Sequence, residues 1–450
     1  MKLHTLTLAN FRRFEQLEIP FEGASQMVII GDNGAGKTAI LEAIAKGLSW
    51  LVARINRKGG AGVLINDSEI LNGKAGASLS LTVQHQGEPY RWSLAKIRKG
   101  RKEEDRASHL EPVTRLADHF RTALTNDPAA TSLPLIAYYP VERGVLDIPL
   151  KIKSHHSFGQ LDGFDNAMQN GVDFRRFFEW FREMEDVENE NFVNFVKYFN
   201  EFAKQSDSGQ DHNVPAITVP LPSRAREEPL SSVRQAIHAF TGFTGLRIHR
   251  RPRLQMMINK GKQSLEVGQL SQGEKALMAL VGDIARRLVM MNPALHDPLQ
   301  GEGIVLIDEV DLHLHPRWQQ TILGQLAKTF PNLQFILTTH SPIVISQEPG
   351  LRGFVLSDGA LEPMGETYGL DVNLVLLQEM GAEAIRNPVV QSQLDALLDA
   401  IQDGKAESAR QQLQALRQTL PADHLELAKA ALLLRRLELQ QRAGTYPVEK

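Results

Sequence analysis

Gly31, Gly36, Lys37 and Thr38 satisfy the pattern G-x-x-x-x-G-K-[ST] within MVIIGDNGAGKTAILEAIAKGL (27–48). Glycines at these places let successive backbone N–H groups turn inward around a phosphate, and Asn33 and Gly34 lie in the same cradle. A lysine so placed reaches β- and γ-phosphate oxygens, and a threonine hydroxyl can ligate Mg²⁺. Two further stretches end in side chains that suit this chemistry. In GIVLIDEVDLHLHP (303–316), four apolar residues precede Asp308 and Glu309. Such a pair can hold a metal's water shell and polarise an attacking water. In LQFILTTHSPIV (333–344), an apolar run closes on Thr338, Thr339 and His340. His340 can hydrogen-bond a γ-phosphate, although taken alone it reads as a structural histidine. His313 and His315 alternate along the acidic turn and read as local packing or capping residues rather than metal ligands.

A fourth stretch, LSQGEKALMALVGDI (270–284), has apolar residues at helical spacing behind a polar entrance. Ser271 suits the N-cap, and Glu274 three residues on completes a capping box. An N-terminus opened by Ser271 and Gly273 also suits a phosphate; the alternative is a well-capped helix that binds nothing.

Elements must bring these pieces together. Short apolar runs ending in acids or in a glycine loop predict buried parallel strands, with the ligand gathered at their carboxyl ends. The expected fold class is α/β. The stretch 172–202 predicts a helix with Phe174, Phe177, Phe178, Trp180 and Phe181 on an apolar face and a solvated acidic stretch at 183–190. A polar, proline-dotted linker follows at 205–230. The tail reads as three helices, at about 388–403, 405–419 and 421–440. The expected divisions are 1–146 and 241–365 for the two parts of the head, 147–240 for a helical insertion and linker, and 366–450 for a helical tail suited to docking or oligomerisation.

The 450 residues carry a net charge of −3, so any nucleic-acid binding must come from a local patch. Arg250, Arg251 and Arg253 lie in one basic run (247–262) and KIRKGRK (96–102) is another; both read either as phosphate-binding patches or as charged edge strands. The chain contains no cysteine, which excludes disulfides and cysteine metal sites. The alternating N-terminus lacks a signal peptide's apolar stretch, and no window is long enough to span a bilayer. A soluble, cytoplasmic protein with no membrane association is expected.

Taken in order, these pieces resemble the ABC-type ATPase head shared by the RecF, SMC and OLD families. The matching elements are the NFRRF strand with Arg12, the phosphate loop (Walker A), the L-S-x-G-E signature at Leu270 to Glu274, the Asp308–Glu309 strand (Walker B) with Asp311, and the switch His340. The resemblance implies a P-loop head with a helical insertion and a helical extension, using ATP and Mg²⁺. It implies Lys37, Thr38, Asn33, Gly34, Gly36 and Arg12 on the nucleotide, Thr38 and Asp308 on the metal, and Glu309 as activator of water. It further implies that Ser271 and Gly273 contact the γ-phosphate held by a second subunit, in a head-to-tail dimer or higher homo-oligomer. The Gln that such heads place on the metal is missing from LPLIAYYPVERGVL (133–146), where Glu142 and Arg143 stand instead.

No D-x-D metal pair or H-N-H arrangement accompanies the head, which argues against a nuclease centre in this chain. The D-F-x-x-F-F-x-W-F pattern, the run from Asp308 to Gln319 and T-T-H-S-P resemble a narrower group. It includes PtuA, the ATPase subunit of Septu anti-phage defence systems, and retron-associated ATPases. That resemblance implies a regulatory ATPase acting on a separately encoded HNH nuclease. The alternatives are a repair-type ATPase that works on DNA without a nuclease, and a scaffold in which bound ATP is structural.

Overall fold

The computed structural model of the protein describes residues 1–100, 107–141, 158–168, 174–206, 229–382, 384, 386–421, 423–442 and 444. The chain divides into two compact units, Met1–Val375 and Leu376–Lys450.

In the first unit, β1 (Lys2–Phe11) and β2 (Phe14–Pro20) form a hairpin, and β4 (Gly76–His85) and β5 (Glu88–Ile97) extend it to an antiparallel sheet in the order β2-β1-β4-β5. Alternating burial along β4 marks a sheet packed on one face. The central sheet runs β13-β12-β3-β11-β10-β6. Its strands are β3 (Gln26–Gly31), β6 (Leu135–Tyr139), β10 (Gly303–Ile307), β11 (Leu333–Thr338), β12 (Arg352–Ser357) and β13 (Ala360–Pro363). All neighbours are parallel except β12 and β13. Every residue of β6, β10 and β11 is buried, as expected of parallel strands covered on both faces. Ile307 pairs in register with both Leu337 and Tyr139, so these three strands end along one edge.

Around the sheets lie α1 (Lys37–Asn56), α2 (Glu111–Asn126), α3 (Phe174–Ser206), α4 (Pro229–Thr241) and α5 (Gln272–Met291), with a small antiparallel sheet of β7 (Thr244–His249), β8 (Gln255–Lys260) and β9 (Gln263–Glu266). The five aromatic residues assigned to the apolar face of α3 are all buried. A Cβ on Gly282 of α5 would lie 2.9 Å from the Phe177 ring, so the glycine admits that ring. The acidic stretch of α3 is not uniformly solvated. Glu185 is buried, accepts from the Ile248 N–H at 3.0 Å and pairs with Arg250 at 3.0 Å. The end of β7 offers both partners, which sequence spacing does not reveal.

Two buried polar joints brace this unit. Gln334 on β11 imitates a peptide group: Leu3 N–H donates to its Oε1 at 2.6 Å, and its Nε2 donates to the Leu3 carbonyl at 3.1 Å. This joint ties β1 to the central sheet. On α5, Asp283 accepts from Arg286 and Arg287, each at 2.7 Å, and from the Tyr139 hydroxyl at 3.0 Å. Arg287 also donates to the Gly163 carbonyl at 2.6 Å. Helix α5 is buried nearly all round, so its charged residues must satisfy one another.

The second unit contains helices Pro388–Gln402, Ala406–Thr419 and Leu425–Arg442 around its own apolar core. The last begins later than the sequence pattern suggests, because Pro421 opens a turn in which His424 N–H donates to its carbonyl. Among the described residues, no helix is long and apolar enough to cross a membrane.

Candidate active site

The edge where β3 and β10 end is lined by a cavity of about 320 Å³. Arg12, Asn33, Gly34, Gly36, Lys37 and Thr38 reach it from the N-terminal side, and Asp308, Glu309 and His340 from the far strands. Segments some 270 residues apart in the chain thus share one hollow, because β11 alone separates β3 from β10.

The loop between β3 and α1 turns through left-handed backbone at Gly34 and Gly36, with φ of 79° and 113°. A Cβ on Gly36 would lie 2.7 Å from the Phe14 ring, so a side chain there is both strained and obstructed. Lys37, at the first position of α1, is buried and donates to the carbonyls of Gly31 at 2.8 Å and Asp32 at 2.9 Å. Burial pulls its ammonium below the ordinary lysine value, against the opposing pull of Asp308 and Glu309. Phosphate oxygens in the loop would restore the charged form.

Asp308 is buried at the end of β10, its N–H donating to the Tyr139 carbonyl at 2.9 Å. Its Oδ2 accepts from the Thr38 hydroxyl at 2.7 Å, and its Oδ1 accepts from the Thr338 hydroxyl. The same Thr338 oxygen accepts from the Glu309 N–H at 2.7 Å. Glu309 adopts left-handed backbone, φ 47°, an uncommon geometry that its neighbours must hold. Thr338 therefore fixes both acids. The sequence showed it only as a strand-end threonine, and its place at the end of an apolar run before His340 was the available hint. One residue on, Thr339 donates to Asp311 and accepts from the Ser341 N–H at 3.0 Å, bracing the turn that carries His340.

Arg12 lines the cavity but its guanidinium is engaged by Glu42 and by Glu69, the latter at 2.9 Å. Arg13, which the sequence reading passed over, lines the cavity as well and donates to the Gly34 carbonyl. Thr38 Oγ1 and Asp308 Oδ2, 2.7 Å apart, offer adjacent hard oxygen donors of the kind that fits Mg²⁺.

Ser271 and Gly273 are not among the residues lining this cavity. Ser271 caps α5: its hydroxyl accepts from Glu274 N–H at 3.3 Å, and Glu274 Oε2 accepts from Ser271 N–H at 2.9 Å. Burial opposes ionisation of Glu274, but Lys260 at 2.5 Å and the Ser271 donors hold its carboxyl below the usual range. A Cβ on Gly273 would lie 2.3 Å from the His313 carbonyl, so the start of α5 rests on the turn that follows Glu309. His315 caps the next short helix, its ring nitrogen accepting from Arg317 N–H at 3.3 Å.

In the basic run, Arg250 is paired with Asp186 and Glu185, and Arg253 with Glu266 at 3.3 Å, while Arg251 is exposed. Glu142 and Arg143 lie outside the described residues, as do most of the linker at 205–230 and the last two residues of KIRKGRK.

The sequence model for "AAA domain, putative AbiEii toxin, Type IV TA system" matches residues 27–346. The chain is similar to the retron Ec83 probable ATPase of Escherichia coli, at 35% identity over 80% of this chain and 72% of that protein. It is similar at the same identity to the retron Vc95 probable ATPase of Vibrio cholerae serotype O1 biovar El Tor, over 77% of this chain and 71% of that one. A shorter likeness, 45% identical over 19% of this chain and 11% of the other, relates it to the Septu protein PtuA of Bacillus mycoides.

Proposed function

Because the chain belongs to the AAA-domain family described for putative AbiEii toxins of type IV toxin–antitoxin systems, and is an ATPase related to those of retrons, we propose that its nucleotide cycle regulates a defence complex. The observation that carries this reading is the single cavity shared by Lys37, Thr38, Asp308, Glu309 and His340. Lys37 and the loop N–H groups hold the β- and γ-phosphates. Glu309 takes the proton of the attacking water, and His340 hydrogen-bonds the γ-phosphate. Thr38 and Asp308 would hold Mg²⁺, which neutralises charge on the phosphates when bound.

Ser271 and Gly273 complete the site of a second copy. Their exposed or half-buried position on α5, off their own cavity, supports this role. ATP then pairs heads, and pairing licenses a separately encoded HNH nuclease. The likeness to PtuA and the retron ATPases supports a defence role for the complex. Contact with DNA through Arg251 is part of the proposal, with Arg250 and Arg253 free to join only if their acidic partners release them.

The test is purification of Glu309→Gln from native cells in ATP and Mg²⁺, followed by mass spectrometry. A small HNH protein in the complex is the expected result. Recovery of the chain alone, or with DNA only, would move the assignment to the repair-type ATPase.

A further inference from the structure

At the other end of the central sheet from Asp308, before β6, β10 and β11 begin, lies a hollow of about 610 Å³. One wall carries three rings. His85, His119 and Phe120 lie with centroids 5.0 to 5.5 Å apart. Two polar groups on the rim are paired: Asn332 Nδ2 donates to the Gln300 carbonyl at 2.7 Å, and the Thr131 hydroxyl to the Asp127 carbonyl at 2.6 Å. Two side chains lining the same hollow are not fully paired. Both ring nitrogens of His85 and Oδ1 of Asn292 are buried and meet no hydrogen-bond partner among the described residues, with the two residues only 9% and 1% exposed. Buried polar groups are rarely left so, and each needs an explanation.

The lining chemistry narrows what fits. Among the described residues, no lysine or arginine lines the hollow, and the one carboxylate there, Glu302, is paired with the Met1 amine at 2.5 Å. A phosphate or other anion has no counter-charge there. Burial disfavours the charged imidazole of His85, which then offers one N–H donor and one acceptor nitrogen. Asn292 Oδ1 adds an acceptor. The matching ligand is uncharged and planar, has a face to lay against aromatic rings, and carries donor and acceptor groups on its edge.

We propose that this hollow binds a nucleobase or nucleoside, at a site separate from the phosphate cavity. Small side-chain shifts on binding uncover the His85 ring nitrogens and Asn292 Oδ1, which then read the edge of the base, and Phe120 with His119 contacts its face. The proposal does not depend on the defence role or on pairing of heads.

The test uses the full chain carrying Lys37→Ala, so that the phosphate loop cannot supply the signal. Adenosine, guanosine, cytidine, uridine and thymidine are titrated by calorimetry and saturation-transfer NMR. At least one is expected to bind with a Kd of about 0.1 mM or tighter. His85→Phe and Asn292→Leu, added singly, should each weaken that binding at least about tenfold. Unchanged or raised thermal stability of His85→Phe would show that the loss is not unfolding, since the substitution removes unpaired nitrogens while keeping a ring. Absence of binding by all five at millimolar concentration would overturn the proposal, leaving solvent as the occupant. Binding indifferent to both substitutions, or seen only with Lys37 intact, would overturn it equally.

Discussion

That Lys37, Asp308 and Glu309 belong at strand ends was legible in local spacing: a glycine loop before a helix and two acids after an apolar strand, which the fold brings to one cavity. Thr338 was not legible in its role, since its contacts to Asp308 and Glu309 span about thirty residues and exist only once β10 and β11 pair in register. Three substitutions separate these roles. Lys37→Ala should abolish ATP binding in a calorimetric titration; normal affinity would refute the assignment of the phosphate loop. Glu309→Gln should keep ATP affinity but reduce turnover by about 10²-fold or more, measured as phosphate release. Thr338→Val removes the donor to Asp308 and the acceptor for Glu309 N–H while keeping the side chain's shape. It should lower turnover about 10- to 100-fold, the range seen when outer partners of a metal site are lost. Full activity would mean that the two acids hold their geometry without it.

At the scale of elements, apolar periodicity correctly foretold the strands around the site, the long helix α3 and the helices of the tail. It did not show that α5 is enclosed on all sides, because Asp283, Arg286 and Arg287 look like a polar face in one dimension. The tertiary fold buries them together, and Tyr139 from the neighbouring strand completes the set. Asp283→Ala should destabilise the protein by about 3–5 kcal/mol, because two guanidinium groups would remain buried without their carboxylate. Urea unfolding measures this. Burial alone would raise the Asp283 carboxyl, but the two arginines outweigh it and hold it below its ordinary value. A carboxyl depressed in the folded state contributes stability above its unfolded value near 3.9, and this is lost as pH falls through the lower folded value. Its contribution is therefore full at neutral pH and fades only below about pH 4, a dependence that Asp283→Ala should remove.

For the whole molecule, the relation of one copy to the next is the central question. Ser271 and Gly273 stand off the cavity formed by their own chain, and the proposal gives them to a neighbour's ATP. Ser271→Arg should leave ATP binding by a single chain intact and abolish ATP-dependent pairing, followed by light scattering after gel filtration. Pairing that survives the substitution would refute the role in trans. The two-unit organisation has an effect of a different kind. The tail closes Leu394, Leu397, Leu413, Leu416, Leu434 and Leu437 into a core of its own. A unit with a core of its own holds its fold through the contacts of those leucines. Polar substitutions on the exposed faces of these three helices therefore leave the leucines that hold the tail together in place.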